Sequence, residues 1–304
     1  MQELISYPEY EKCRLCPWEC CVDRSSEELG KCRAPADLRL NDAVLHFGEE
    51  ACLVGSNGSG ALFLACCTLR CVYCQTWEIS WEGKGIEIST QEFIDILKDL
   101  VRKGVENLNF ITPTHYVPHI RFAIKSLRED GITVPTVYNT SSFERVETLR
   151  SLEGYIDIYL ADFKCWDPRT AEMLSGCQDY PDVAKRAIKE MHKQVGDLTV
   201  NEKGVAQKWL LVRHLVLPGF VKESVKIVEW IAENLSTNTY VNIMGHYRPC
   251  HKAKSMHELN RTLMREEFET VVQHARNCGL HRIDTTHWQL YPYIWTRSDN
   301  VEET

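Results

Sequence analysis

Ala65-Cys-Cys-Thr-Leu-Arg-Cys-Val-Tyr-Cys-Gln75 sets Cys67, Cys71 and Cys74 at spacings of three and two intervening residues. The tract follows directly on residues 61–65, an apolar run of strand length. Outward from it the chain alternates. Further strand-length runs rich in Val, Ile, Leu and Tyr fall at 108–112, 133–138, 156–161, 210–216 and 240–244, the composition of strands buried on both faces. Helical stretches at 90–103, 118–129, 144–152, 181–195 and 223–235 lie between them. Ile94, Leu97, Leu100 and Val101 share one helix face, Ser89 or Thr90 is placed to cap it, and Glu92 and Asp95 suit its positive end. Gly104, Gly131, Gly154 and Gly196 fall where helices should stop.

Strands alternating with helices imply right-handed crossovers and a parallel sheet. A doubly wound sheet and a barrel both fit that string. A full eightfold barrel takes about 250 residues, and six repeats are visible, so the expected fold is α/β, a partial (β/α)6 barrel. Residues 1–45 form a separate cysteine-rich metal-binding segment, 46–295 the barrel, and 296–304 a C-terminal tail. The first 40 residues are poor in core-forming periodicity yet hold Cys13, Cys16, Cys20, Cys21 and Cys32, so bound metal is the expected staple.

The whole chain has 304 residues, 26% charged and 44% hydrophobic, as an ordinary globule has. A net charge of −8 argues against non-specific nucleic-acid binding. The N-terminal sequence lacks a basic-then-apolar signal pattern, and no apolar run approaches the ~18–20 residues of a membrane helix. A cytoplasmic location is therefore expected, with neither nucleic acid nor membrane as partner. Under a reducing poise, fourteen cysteines read as metal ligands before disulfides.

Three thiolates on one loop at the C-terminal end of a strand sit where α/β active sites usually lie. On an iron–sulfur cubane, three ligands leave one iron open, whereas electron-transfer clusters take four cysteines. Zinc or a chance grouping are the plainer alternatives, but zinc favours four ligands in paired motifs. Cys66 is read as a packing residue. At the amino terminus, Cys13-Arg-Leu-Cys16-Pro-Trp-Glu-Cys20 with Gly30-Lys-Cys32 offers four sulfurs. Either Cys20 or Cys21 could be the third ligand, Cys20 being preferred. Zinc and an auxiliary iron–sulfur cluster both suit this thiolate set.

The cysteine spacing, with Tyr73 before the last cysteine, resembles the radical S-adenosylmethionine superfamily, and in particular its pyruvate formate-lyase activating-enzyme-related group. Asp157-Ile-Tyr-Leu-Ala-Asp-Phe-Lys164 is similar to that group's Asp-Leu-Lys strand. The resemblance implies that Asp162 and Lys164 approach the methionyl end of the cofactor. Asn139-Thr-Ser-Ser-Phe143 is similar to an Asp-Thr-Asn-Gly-Phe turn, with Asn139 replacing the acid, and Arg213 in Leu211-Val-Arg-His-Leu-Val-Leu-Pro-Gly219 resembles an arginine strand near the cofactor. Met244-Gly-His-Tyr-Arg-Pro-Cys-His-Lys-Ala253 resembles a rim segment. The group's Gly-Gly-Glu is absent, and Phe110-Ile-Thr-Pro-Thr-His115 stands there, so that backbone from Thr112 to Thr114 would face the cofactor. His115, His214, His246 and His251 are read as structural.

These likenesses imply a radical enzyme that cleaves S-adenosylmethionine at a [4Fe–4S] cluster, driven by a one-electron donor such as flavodoxin or ferredoxin. A protein or peptide substrate is expected, as for glycyl-radical activases. A small-molecule substrate and a non-catalytic metal scaffold are the alternatives.

Overall fold

Residues 7–286 are described by a computed structural model of the chain; the 296–304 tail lies outside the described residues. In chain order the elements are β1 (Leu38–His46), α1 (Ala51–Val54), β2 (Ser59–Leu64), α2 (Trp77–Ser80), β3 (Ile86–Ile88), α3 (Thr90–Arg102) and β4 (Leu108–Ile111). Next come α4 (Val117–Glu129), β5 (Thr136–Thr140), α5 (Val146–Arg150), β6 (Ile158–Asp162), α6 (Pro168–Ser175) and α7 (Tyr180–Val195). The remainder are β7 (Thr199–Val200), β8 (Ala206–Leu215), α8 (Val221–Asn234), β9 (Tyr240–Met244), α9 (Arg265–Asn277) and β10 (Ile283–Asp284).

The six strands expected from sequence are β2, β4, β5, β6, β8 and β9, and each pairs in parallel with the next. The strand order is β10-β9-β8-β6-β5-β4-β2-β1-β3. Its two ends do not pair, so the barrel is partial and open. The strand β1 was not foreseen. It runs antiparallel to β2, crosses residue 45, and buries Leu38 and Leu40 in the main core. Among the described residues no helix is long and apolar enough to cross a membrane.

Local chemistry explains where the elements begin and end. Ser89 caps α3 reciprocally: its Oγ accepts from Glu92 N at 3.2 Å, and Glu92 Oε2 accepts from Ser89 N at 2.7 Å. Phe93, Ile94, Leu97 and Leu100 then bury the inner face of α3. Gly104 closes that turn at φ +82°, a conformation costly for any residue with a Cβ. The strand expected at 133–138 begins only at Thr136, because Pro135 has no N–H for the ladder. The helix expected at 144–152 is cut to Val146–Arg150, because the Glu144 side chain turns inward to Thr114 and Thr140.

Alternation along the strands divides the sheet into two faces. Phe110, Tyr138, Tyr159, Leu210 and Val241 pack with the helices in the main core. Val137, Ile158, Leu160, Trp209 and Leu211 point into the barrel, where Leu53 of α1 closes the lower end.

Candidate active site at the barrel mouth

Near the carboxyl end of each barrel strand an inward-facing residue is half-buried, although its neighbours along the strand are buried. These residues are Phe63, Ile111, Asn139, Asp162, Arg213 and Met244. They line a lumen that opens at the carboxyl ends of the strands, and the cysteine loop follows β2 at that mouth. Its first turn places Cys66 at φ +73°, with the Cys66 thiol buried beside Arg33 O at 3.5 Å. The loop is strapped in place: His115 Nε2 donates to Ala65 O at 2.7 Å, Trp18 Nε1 to Thr68 O at 2.7 Å, and Arg70 Nη1 to Ser80 O at 2.8 Å. Burial pushes His115 down to about 3, which keeps its ring neutral in that bond.

The three loop thiols are electrostatic neighbours of one another. Burial, with Cys74 as a neighbour, pushes the Cys67 thiol up to about 11. Burial likewise takes Cys71 to about 12, against the pull of Lys164. Bare thiolates are therefore costly here, and a bound metal ion is what would stabilise them. Cys67 Sγ accepts from Leu69 N at 3.4 Å, and Cys74 Sγ lies 3.0 Å from Ser80 Oγ. Among the described residues no three Cys, His, Asp or Glu side chains converge on a single-ion site. One zinc would draw its sulfurs to about 2.3 Å, whereas a cluster holds its ligands further apart. Three soft donors around an accessible lumen fit an iron–sulfur cluster with one open iron.

Lys164 and Asp162 share this mouth, with Nζ to Oδ2 at 2.5 Å. Burial alone would lower the Lys164 ammonium, but Asp162 and Cys71 outweigh it and hold the ammonium above its usual range. The Tyr180 hydroxyl accepts from Lys164 N and bonds Ser141 O and Asp162 O, each at 2.9 Å, tying the ends of β5 and β6 together.

The other residues singled out from sequence are placed as follows. Asn139 lies in the lumen wall in register with Ile111, and its carbonyl accepts from Thr112 N at 2.9 Å. Thr112 has φ +57° at the same rim. Thr114 instead turns away, donating to Glu144 Oε1 at 2.6 Å. The Tyr73 ring is buried in the core, edge-on to Tyr247 at 6.4 Å.

Arg213 is tied down from below. Its Nη2 meets Glu49 and, at 2.6 Å, Glu50 Oε2, while Nε donates to Glu50 Oε1 at 2.8 Å. Asn242 and Asn109 donate to the same two acids. Burial would raise Glu50, but Arg213 outweighs it and holds the carboxyl below its usual range. A polar layer thus spans the barrel beneath the mouth. Sequence reading missed its acids because Glu50 and Arg213 are 163 positions apart.

The amino-terminal cysteines gather behind the loop. Cys13, Cys16 and Cys32 are buried, and the Cys16 thiol is raised by burial first and then by Cys32, Cys13 and Cys20. The Cys20 sulfur accepts from Lys31 N at 3.3 Å, next to Cys32. Cys21 is exposed and bonds instead with Arg14 and Glu19 O.

An open parallel barrel with three thiols and a Lys–Asp pair at its mouth is the architecture of a class of iron–sulfur enzymes. The Radical SAM superfamily is matched over residues 62–231. Uncharacterized protein MJ0674 of Methanocaldococcus jannaschii is 32% identical over 284 residues, covering 90% of this chain and 77% of that protein. The chain belongs to the radical SAM superfamily. Among solved structures, Streptococcus suis SuiB bound to S-adenosylmethionine is 15% identical with a TM-score of 0.52, over 75% of this chain and 50% of SuiB. SuiB bound to its precursor peptide SuiA gives 16% and 0.50, over 75% and 49%. The chain spans about half the length of SuiB, and the likeness shows the shared fold. A domain of a pyruvate-formate lyase-activating enzyme from Bacteroides vulgatus is 16% identical with a TM-score of 0.39, over 56% of this chain and 92% of that domain.

Proposed function

We propose that this chain is a radical SAM enzyme of the activating-enzyme type, acting on a protein or peptide, with its [4Fe–4S] cluster on Cys67, Cys71 and Cys74. Cys67, Cys71 and Cys74 would hold the cluster, which when bound would supply one-electron reductive cleavage of S-adenosylmethionine and so hydrogen abstraction from the substrate.

The chain's own residues do the positioning. Lys164, held charged by Asp162, presents an ammonium to the cofactor's carboxylate. Asn139 and the Thr112 backbone offer polar contacts on the adjacent wall. Arg213 is fixed beneath them by Glu49 and Glu50, so its charge stays put. Ile111, Phe63 and Met244 supply apolar wall that limits water around the reacting atoms. The observation that carries this reading is the meeting of three thiols with one Lys–Asp pair at the open mouth.

A polypeptide target is supported by that openness and by SuiB, which is seen bound to a precursor peptide. A cleft of about 690 Å³ between the amino-terminal segment, α5 and α7, lined by Trp18, Phe143, Arg145, Arg150, Arg186 and Asp182, offers both charges to a peptide. Cys13, Cys16, Cys20 and Cys32 we assign to a second metal site. A flavodoxin or ferredoxin would deliver the electron. A cytoplasmic setting goes with this reading, because cysteines that serve as metal ligands suit a reducing compartment.

The test is anaerobic reconstitution with reductant and S-adenosylmethionine. The expected result is 5′-deoxyadenosine, carrying deuterium when a candidate peptide contains α-deuterated glycine. A full cluster without 5′-deoxyadenosine would return the chain to a metal scaffold. Turnover with deuterium transferred only from metabolites would move the substrate to a small molecule.

A further inference from the structure

Arg24 lies between Cys20 and Cys32 in sequence and is only 2% exposed. Its Nη1 donates to His115 O at 2.7 Å and its Nη2 to Pro35 O at 2.5 Å, while Nε has no hydrogen-bond partner. The guanidinium lies 4.1 Å from the centre of the Tyr10 ring and 5.5 Å from that of Tyr116. Among the described residues it forms no ion pair with a carboxylate. Carbonyls and ring faces solvate a cation but do not neutralise it. An arginine cannot escape by losing its proton, and a buried charge without a counter-charge is costly.

The groups that could carry the missing charge are sulfurs. Cys13 Sγ lies 3.9 Å from Arg24 Nη1, and Cys32 is also within electrostatic reach. Neutral thiols would leave the guanidinium uncompensated. Among the described residues no three Cys, His, Asp or Glu side chains converge on a single-ion site, so a cluster core fits these sulfurs where one zinc does not. Its four thiolates carry net negative charge, and two of them, Cys13 and Cys32, lie near Arg24. We infer that Cys13, Cys16, Cys20 and Cys32 form an anionic metal–tetrathiolate centre and that Arg24 is its buried counter-ion. Arg24 is then a positioning residue: it also fixes the His115 carbonyl, and the His115 ring holds Ala65 at the root of the catalytic loop.

The inference rests on the second metal site proposed above, and the experiment separates the two. A Cys67→Ala/Cys71→Ala/Cys74→Ala variant, reconstituted anaerobically, removes the mouth cluster and should still retain one metal centre per chain. Iron with sulfide is the expected content, and zinc in its place would overturn the cluster core. A folded triple variant without metal overturns both the second site and its counter-ion. In the same background Arg24→Gln, which keeps a donor but not the charge, should lose metal to a chelator about tenfold faster or more. Arg24→Lys should stay within about threefold of its parent, well inside that interval. Equal retention in Arg24→Gln overturns the counter-ion alone. If Arg24→Gln does not fold, Arg24→Lys decides. Were fork geometry rather than charge at work, Lys would fail as well, since it cannot bond the Pro35 and His115 carbonyls as a guanidinium does. Neither outcome depends on 5′-deoxyadenosine formation.

Discussion

The two cysteine groups use the same donor atom and differ in number, access and neighbouring charge. At the mouth Cys67, Cys71 and Cys74 are half-buried, with the Lys164–Asp162 pair beside Cys71. Behind the loop Cys13, Cys16 and Cys32 are buried, Cys20 completes a group of four, and the charge facing them is the closed-off Arg24. A missing fourth sulfur and an open wall make a place for a ligand. Four sulfurs of which three are buried would, on the proposed reading, make a brace. Sulfur chemistry alone would not separate these roles; burial does.

The sharpest way to break this comparison is to delete one sulfur from each group. Cys71→Ala should reduce 5′-deoxyadenosine formation to background and leave the unfolding temperature near that of wild type, measured on metal-free protein. Cys16→Ala should do the reverse in kind, lowering the unfolding temperature of the metal-loaded chain before it touches the mouth cluster. Equal losses of activity and stability in both variants would mean that the groups are not distinct in role.

Next in size is Arg213→Met. It would leave Glu49 and Glu50, 7% and 0% exposed at the side chain, without their cation. Breaking a buried pair by removing one partner costs about 3–5 kcal/mol. Urea unfolding should show that loss in the absence of cofactor. If stability is unchanged and only the dependence on S-adenosylmethionine moves, Arg213 is a simple ligand contact and the polar layer is not structural.

The layer also shows where sequence reading stops. Local signals carried far: the Ser89–Glu92 cap, the glycine stops and all six barrel strands were legible because each depends on residues a few positions apart. The loop cysteines were legible for the same reason. The acids under Arg213 were not, since no short-range pattern joins Glu50 to a strand 163 positions away. Strand β1 escaped because after Leu38 and Leu40 a register shift breaks its alternation. Nothing in the sequence around Arg24 signals its burial, which only the fold shows.

A third prediction probes the seam between the two cysteine regions. Glu144 is buried under the amino-terminal segment, where neighbouring Arg145 and Thr148 donate to Arg14 O and Leu15 O. Burial raises its carboxyl from 4.5 to about 7, opposed by bonds from Thr114 and Thr140. A raised carboxyl binds its proton more tightly in the folded chain. Its contribution to stability is therefore full below 4.5 and is lost as pH rises through about 7. His115 and His214, pushed by burial to about 3 and about 4, act with the opposite slope, losing stability as pH falls below 6.5. The Glu144 effect must be read as a difference. Glu144→Gln should gain on wild type by about 3 kcal/mol between pH 4 and pH 8. A constant difference across that range would show that Glu144 titrates as an ordinary carboxyl.

The smallest effect is the most telling for the link between the groups. Trp18 follows Cys16-Pro17, lays its ring against Phe143 at 5.3 Å and donates Nε1 to Thr68 O at 2.7 Å, inside the cysteine loop. Arg70 Nη2 reaches back from that loop to Lys31 O at 3.1 Å, beside Cys32. Trp18→Phe keeps much of the ring packing and removes one hydrogen bond, a change worth about 1 kcal/mol. Global stability should barely register it. The loop that holds Cys67, Cys71 and Cys74 would nonetheless lose one of its tethers to the amino-terminal segment, so chelator should strip iron from the reconstituted mouth faster while the proposed second centre keeps its metal. If both centres lose metal at wild-type rates, the two cysteine regions are neighbours in space without being coupled.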